Sequence, residues 1–173
     1  SHNPYRDNGL KLFGPNGRKL SDEVEDAIES WVAGESAPPS GHQGDTIGRL
    51  CRDNCAQKRY QDFVISVGSN TANFSGLRVV VDCANGAGYK VATRVLQGLG
   101  IEVISLSSEP NGININERCG STSPSAMCKA ILDTQAHIGF ALDGDADRVL
   151  AADELGVLLD GDQLMAALAT DMQ

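Results

Sequence analysis

Cationic side chains are scarce in this chain. It has 14 lysines and arginines against 23 aspartates and glutamates, a formal charge of −9 over 173 residues. Such an acidic surface repels nucleic-acid phosphates and anionic lipid, which excludes both as principal partners and leaves room only for a local site for an anionic substrate. No apolar run approaches the roughly 18 residues of a membrane span, and no signal-peptide pattern is present. No two cysteines have CxxC spacing. The five (Cys51, Cys55, Cys83, Cys119 and Cys128) are odd in number, and the Cys51/Cys55 pair lacks further metal ligands beside it. This disfavours a zinc or redox site and suits reduced, mostly packed thiols in a cytoplasmic protein. The familiar nucleotide-loop signatures are missing too. The stretch "DCANGAGYK" (82–90) lacks both a GK[ST] ending and GxGxxG, and reads as a tight strand-to-helix turn. There is no initiator methionine, and a helical pattern is still running at Gln173, so the chain is expected to be a piece of a longer protein.

What is present is enough for a core. Hydrophobic residues make up 41% and charged residues 21%, and a fold of this size buries roughly 70% of its unfolded surface. Residues 1–18 are rich in turns, with a short strand expected at "LKLF". Ser21 is a helix N-cap signal with Asp22 and Glu23 in the first turn; Val24, Ala27, Ile28, Trp31 and Val32 keep helical spacing, and Gly34 stops the helix. A second helix is expected over about 46–66, with Ile47, Leu50, Cys51, Tyr60, Phe63 and Val64 on one side. After "GSNTANFSG" (68–76) the pattern changes. "LRVVVD", "EVISL" (102–106) and "IGFAL" (138–142) are strand runs that alternate with helical segments. This predicts an α/β fold with a mixed, mostly parallel sheet, helices packed on it, and a partial α/β domain before it. The expected division is 1–67 and 68–173. A hairpin is expected around Glu154–Gly156, and "DGD" (160–162) is expected to start the last helix.

The stretch "ALDGDADRVL" (141–150) carries the chemistry. Asp143, Asp145 and Asp147 alternate just after a strand run, with small Gly144 and Ala146 between them and one cation, Arg148, behind. Three clustered carboxylates with no Cys or His nearby suit a hard divalent cation, Mg²⁺ or Mn²⁺. Ligands also gather at the carboxyl ends of strands in such sheets. An EF-hand fits poorly, because its sixth position should be glycine and is Arg148. A dehalogenase-type phosphatase fits poorly as well, since nothing downstream supplies its lysine.

At the other end, "SHNPYRDNGLK" (1–11) puts a hydroxyl, an imidazole, amides and an amine in one loop. With "DGDADR", this loop resembles the α-D-phosphohexomutase family, in the family's order and over essentially the whole chain. The resemblance implies the end of that family's first domain and most of its second. It implies that Ser1 carries a phosphoryl group, and that Asp143, Asp145 and Asp147, with a phosphoseryl oxygen of Ser1, bind one Mg²⁺. His2 and Asn3 line the phosphoserine loop, Lys11 serves as general acid/base, and Arg148 lies by the phosphoryl group. The segments "VVVDCANGAGY", "NGININERCGSTSP" and "DELGVLLDGDQLM" are similar to the branch that interconverts glucosamine 6-phosphate and glucosamine 1-phosphate through a 1,6-bisphosphate, feeding UDP-N-acetylglucosamine and cell-wall precursors. The alternatives are a mannose/glucose-phosphate relative and a metal-binding module without catalysis. Residues 1–66, cut off from neighbouring strands, are expected to lean on a second copy, to swap, or to pack loosely.

Overall fold

A computed structural model describes residues 2–7, 9, 11–37, 39–41, 44–69 and 73–171. Packing divides the chain into two units, Ser1–Asn8 with Asn54–Gln173, and Gly9–Asp53.

The larger unit is built on a five-stranded sheet. Its strands are β1 (Arg78–Asp82), β2 (Glu102–Leu106), β3 (Ile138–Leu142), β4 (Val149–Asp153) and β5 (Leu158–Leu159), in the spatial order β2-β1-β3-β4-β5. β1 runs parallel to both β2 and β3, while β3/β4 and β4/β5 are antiparallel. The mixed α/β sheet is therefore as the sequence pattern implies. Its helices are α2 (Ala56–Ser69), α3 (Val91–Gly98), α4 (Ser125–Thr134) and α5 (Gly161–Asp171).

β1 explains the layering. "RVVVD" is apolar on both faces, as a strand covered on both sides requires. Val80 points into a cluster with Met127 and Ile131 of α4 and with Ala141 and Ala152. Val79 and Val81 point the other way, toward Leu96 of α3, Ile101, Ile138 and Phe140. α2 packs outside α3, where Gly98 has no side chain to hold the helices apart; a Cβ there would lie 2.4 Å from Ile65 Cδ1. α5 begins with a reciprocal cap. Asp160 Oδ1 accepts from Gln163 N at 2.7 Å, and Gln163 Oε1 accepts from Asp160 N at 2.9 Å. The "DGD" motif thus starts the last helix as its sequence suggests.

The smaller unit holds α1 (Asp22–Ala33), ended by left-handed Gly34. None of its described residues is buried, so the apolar stripe of α1 has no core of its own to enter.

Two expectations change. The second helix starts at Ala56, not near residue 46; a single 3-10 turn occupies Gly44–Thr46, and Ile47 and Leu50 are exposed. Gly48 in that stretch weakens any helix. Of "LKLF", the described residues 11–13 form an isolated bridge, Phe13 to Lys19, and not a strand. α2 packs on α3, and the two packing units part at 53/54. No helix among the described residues is long and apolar enough to cross a membrane.

The cysteines are all thiols: Cys83 and Cys119 are buried, Cys128 half-buried, Cys51 and Cys55 exposed. Burial pushes the Cys83 thiol up to about 11 and raises Cys119 as well. The thiolate is the reactive form, so at pH 8 Cys51 and Cys55 are expected to react promptly with an aromatic disulfide reagent. Cys83 and Cys119 are expected to react only after unfolding, Cys83 also as the pH nears 11. Four or five fast thiols in the native chain at pH 8 would contradict this burial pattern.

Candidate metal and phosphoryl-transfer site

β3 enters the sheet centre and turns back as β4, pairing Leu142 with Val149. The six residues between them, 143–148, are the acidic loop. It lies beside the turn that follows β1, where the sheet order switches from β2 on one side of β1 to β3 on the other. This is the general ligand position of such sheets.

The loop is closed by its own cation. Asp143 is fully buried. Its Oδ1 accepts from Arg148 N at 3.2 Å, and its Oδ2 accepts from Arg148 Nε at 3.0 Å, with Nη2 also at 3.0 Å. Burial raises the pKa of this carboxyl, and the hydrogen bonds from the Arg148 main chain and guanidinium are among the contacts that lower it; the net direction is below the usual carboxylate range. Ala146 takes a left-handed conformation (φ 60°), and its N–H donates to Asp143 O at 3.1 Å. This tight turn brings one oxygen each of Asp143, Asp145 and Asp147 within 4.8 Å of one another, with exposure increasing along the series. The donors are all hard carboxylate oxygens, the set that a small divalent cation takes. A carboxylate offers about four lone-pair sites, so Asp143 can serve a guanidinium and a cation together.

Arg148 also reaches the start of the chain. Its Nη2 lies 2.6 Å from His2 Nδ1, across 146 positions of sequence. A guanidinium only donates, so Nδ1 is the acceptor and the ring proton sits on Nε2. Arg148 and His2 are thus brought together with the acidic triad. Asn3 joins them through its carbonyl, which accepts from Asn116 Nδ2 at 2.9 Å. Ser1 lies outside the described residues, and Lys11 belongs to the Gly9–Asp53 unit.

The platform beneath was invisible as a motif. Asp82 is buried at the end of β1; its two oxygens accept from Ala84 N at 3.0 Å and Gly120 N at 2.9 Å. Ala84 and Asn85 are both left-handed. Ala87 N then donates to Gly144 O at 2.8 Å. Gly86 has no alternative here, since a Cβ would sit 2.3 Å from that same oxygen. The local signal for this turn was "NGAG", which announces tight backbone without saying what presses on it.

Comparison with known proteins agrees with this geometry. The family model for phosphoglucomutase/phosphomannomutase, alpha/beta/alpha domain II, matches residues 58–156, and that for domain I matches residues 1–38. The chain belongs to the phosphoglucomutase/phosphomannomutase family. Curated family members named phosphoglucosamine mutase, from Brucella anthropi and Gluconacetobacter diazotrophicus, are each 54% identical over 98% of this chain. The chain spans 37% of the length of these relatives. A crystal structure of a phosphoglucomutase/phosphomannomutase family protein from Burkholderia thailandensis superposes with a TM-score of 0.64 at 23% identity, covering 88% of this chain and 32% of that one. At that identity the likeness speaks for the fold.

Isothermal titration of the chain with Mn²⁺ is expected to show one site, lost or weakened at least about tenfold in Asp145→Asn, a ligand change that leaves the Asp143–Arg148 lock alone. Unchanged affinity in Asp145→Asn and Asp147→Asn would exclude the loop as the ligand set. Gly86→Ala is expected to lower the melting temperature and the Mn²⁺ affinity together, with a stability cost of about 1–3 kcal/mol from overpacking.

Proposed function

We propose that this chain is part of a phosphoglucosamine mutase, interconverting glucosamine 6-phosphate and glucosamine 1-phosphate in the cytoplasm and feeding UDP-N-acetylglucosamine synthesis. The single observation that carries the reading is the convergence of the acidic loop and the amino-terminal loop through Arg148 and His2. The curated relatives' names, at 54% identity, favour the amino sugar over a mannose or glucose phosphate.

In this reading the resident cation is Mg²⁺, held by Asp143, Asp145, Asp147 and an oxygen on Ser1. When bound, it neutralises charge between the carboxylates and a phosphoseryl ester and polarises the phosphoryl oxygens. The residues of the chain do the rest. Ser1 hands its phosphoryl group to the free hydroxyl of the sugar phosphate while Lys11 takes the hydroxyl proton. The 1,6-bisphosphate turns around, and its other phosphoryl group returns to Ser1 with the proton going back to the departing sugar oxygen. Arg148, held in orientation by Asp143, offers its remaining N–H donors to phosphate oxygens. His2 and Asn3 set the path of the loop. Most of the rate in such a transfer comes from positioning and electrostatics.

The test uses a protein of the relatives' full length that contains this sequence. Intact-mass measurement and peptide mapping are expected to find phosphate on Ser1. Turnover of glucosamine 6-phosphate is expected to need Mg²⁺ and to vanish in Ser1→Ala. Cation binding with a permanently unmodified serine would favour a non-catalytic module instead, and a preference for mannose or glucose phosphate would move the protein to its sister branch. Residues 1–173 alone are expected to show no turnover, and gel filtration is expected to reveal self-association rather than a compact monomer.

A further inference from the structure

The amino-terminal segment is tied to the sheet unit at two consecutive residues. One tie is the His2–Arg148 contact already described. The other is made by Asn116, which lies in the long connection between β2 and α4, far from either motif in sequence. Asn116 adopts the left-handed conformation (φ 56°), which asparagine tolerates far better than most residues. That conformation lets it use both ends. Its backbone N–H donates to Ala84 O at 2.9 Å, and its side-chain Nδ2 donates to Asn3 O at 2.9 Å across 113 positions.

The anchor under Asn116 is rigid. Ala84 is fully buried in the turn that Asp82 pins. Asn85 holds the same connection by three bonds: its N–H donates to Ser107 O at 2.6 Å, its Oδ1 accepts from Glu109 N, and its Nδ2 donates to Asn114 O. Ala87, in the same turn, grips the acidic loop at Gly144. The turn after β1 therefore holds the acidic loop with one side and Asn116 with the other. Whatever fixes Asn3 through Asn116 is fixed in the same frame as the three carboxylates.

We propose that Asn116 is a positioning residue for the phosphoserine loop: by holding the Asn3 carbonyl it fixes the amino-terminal segment in the frame that carries the carboxylate triad. The Asn116 bond, next to the His2–Arg148 contact, restricts pivoting of the segment about either one. This inference rests on the phosphoserine reading above. Misplacing a reacting group by about 1 Å costs on the order of 100-fold in rate, so loss of the tie acts on the transfer step more than on sugar binding.

The experiment compares wild type, Asn116→Gly and Asn116→Asp in a protein of the relatives' full length. Glycine keeps the left-handed backbone without the donor; aspartate keeps size and backbone preference but sets an acceptor against a carbonyl. Both are expected to cut kcat about 10- to 100-fold with KM within about threefold. The ³¹P resonance of phosphoserine, broadened by Mn²⁺ in wild type, is expected to broaden less in both. Wild-type kcat and wild-type Mn²⁺ broadening in either folded variant would overturn the positioning role. A large fall in melting temperature for both, with kcat, KM and broadening unchanged below it, would also overturn it and leave Asn116 as a purely structural brace. Absence of phosphoserine in the wild-type protein would instead sink the underlying phosphoserine reading, which makes the two failures distinguishable.

Discussion

A buried carboxylate has to be compensated, and in this fold Arg148 is a partner that compensates Asp143. Removing a charge from water without a partner costs far more than a domain can absorb. Here the backbone N–H and the guanidinium of Arg148 share that burden at about 3 Å. The lock closes the β3–β4 connection on itself. The loop itself carries three acids and one base. Asp145 and Asp147 fan outward from the locked group and supply the oxygens that a cation would need. The same guanidinium then reaches His2, so one side chain settles the shape of the acidic loop and touches the segment next to Ser1.

The turn after β1 is the second support. Two successive non-glycine residues, Ala84 and Asn85, sit in a conformation that costs of order 1–3 kcal/mol each and persists only where the surroundings over-determine it. They are over-determined: Asp82 bonds forward and across, Asn85 bonds the β2–α4 connection, and Gly86 lets the acidic loop lie directly on the backbone. Strain of this sort concentrates where geometry has to be held for a purpose, and this turn braces the acidic loop on one side and Asn116 on the other.

Much of this was legible in the sequence because the signals were local. The valine run at 79–81, the helical spacing that follows, and the Asp-x-Asp-x-Asp pattern each declare themselves within ten residues. Of the helix expected over about 46–66, only the second half forms, as the start of α2. Ile47, Leu50 and Cys51 mimic its periodicity, but they stand exposed in a stretch interrupted by Gly44 and Gly48. Asp82 and Asn116 were opaque for a different reason. Their partners lie 38 and 113 positions away, and a single polar residue bonded across such distances leaves no periodic trace. Arg148 was visible as a cation beside acids; that it would spend two donors on Asp143 and reach His2 was not.

The pairing order of the sheet has a temporal consequence. Val79 aligns with Val103 on one side and with Ile138 on the other, and the acidic loop is carried by β3 and β4, which come after both β1 and β2. A nascent chain therefore cannot gather the three carboxylates until its synthesis has passed β4, nor until the long-range parallel pairings have closed, the slowest kind of contact to form. Bound cation would then act as a seal on completed molecules, stabilising finished structure by mass action while contributing nothing to the partly made one.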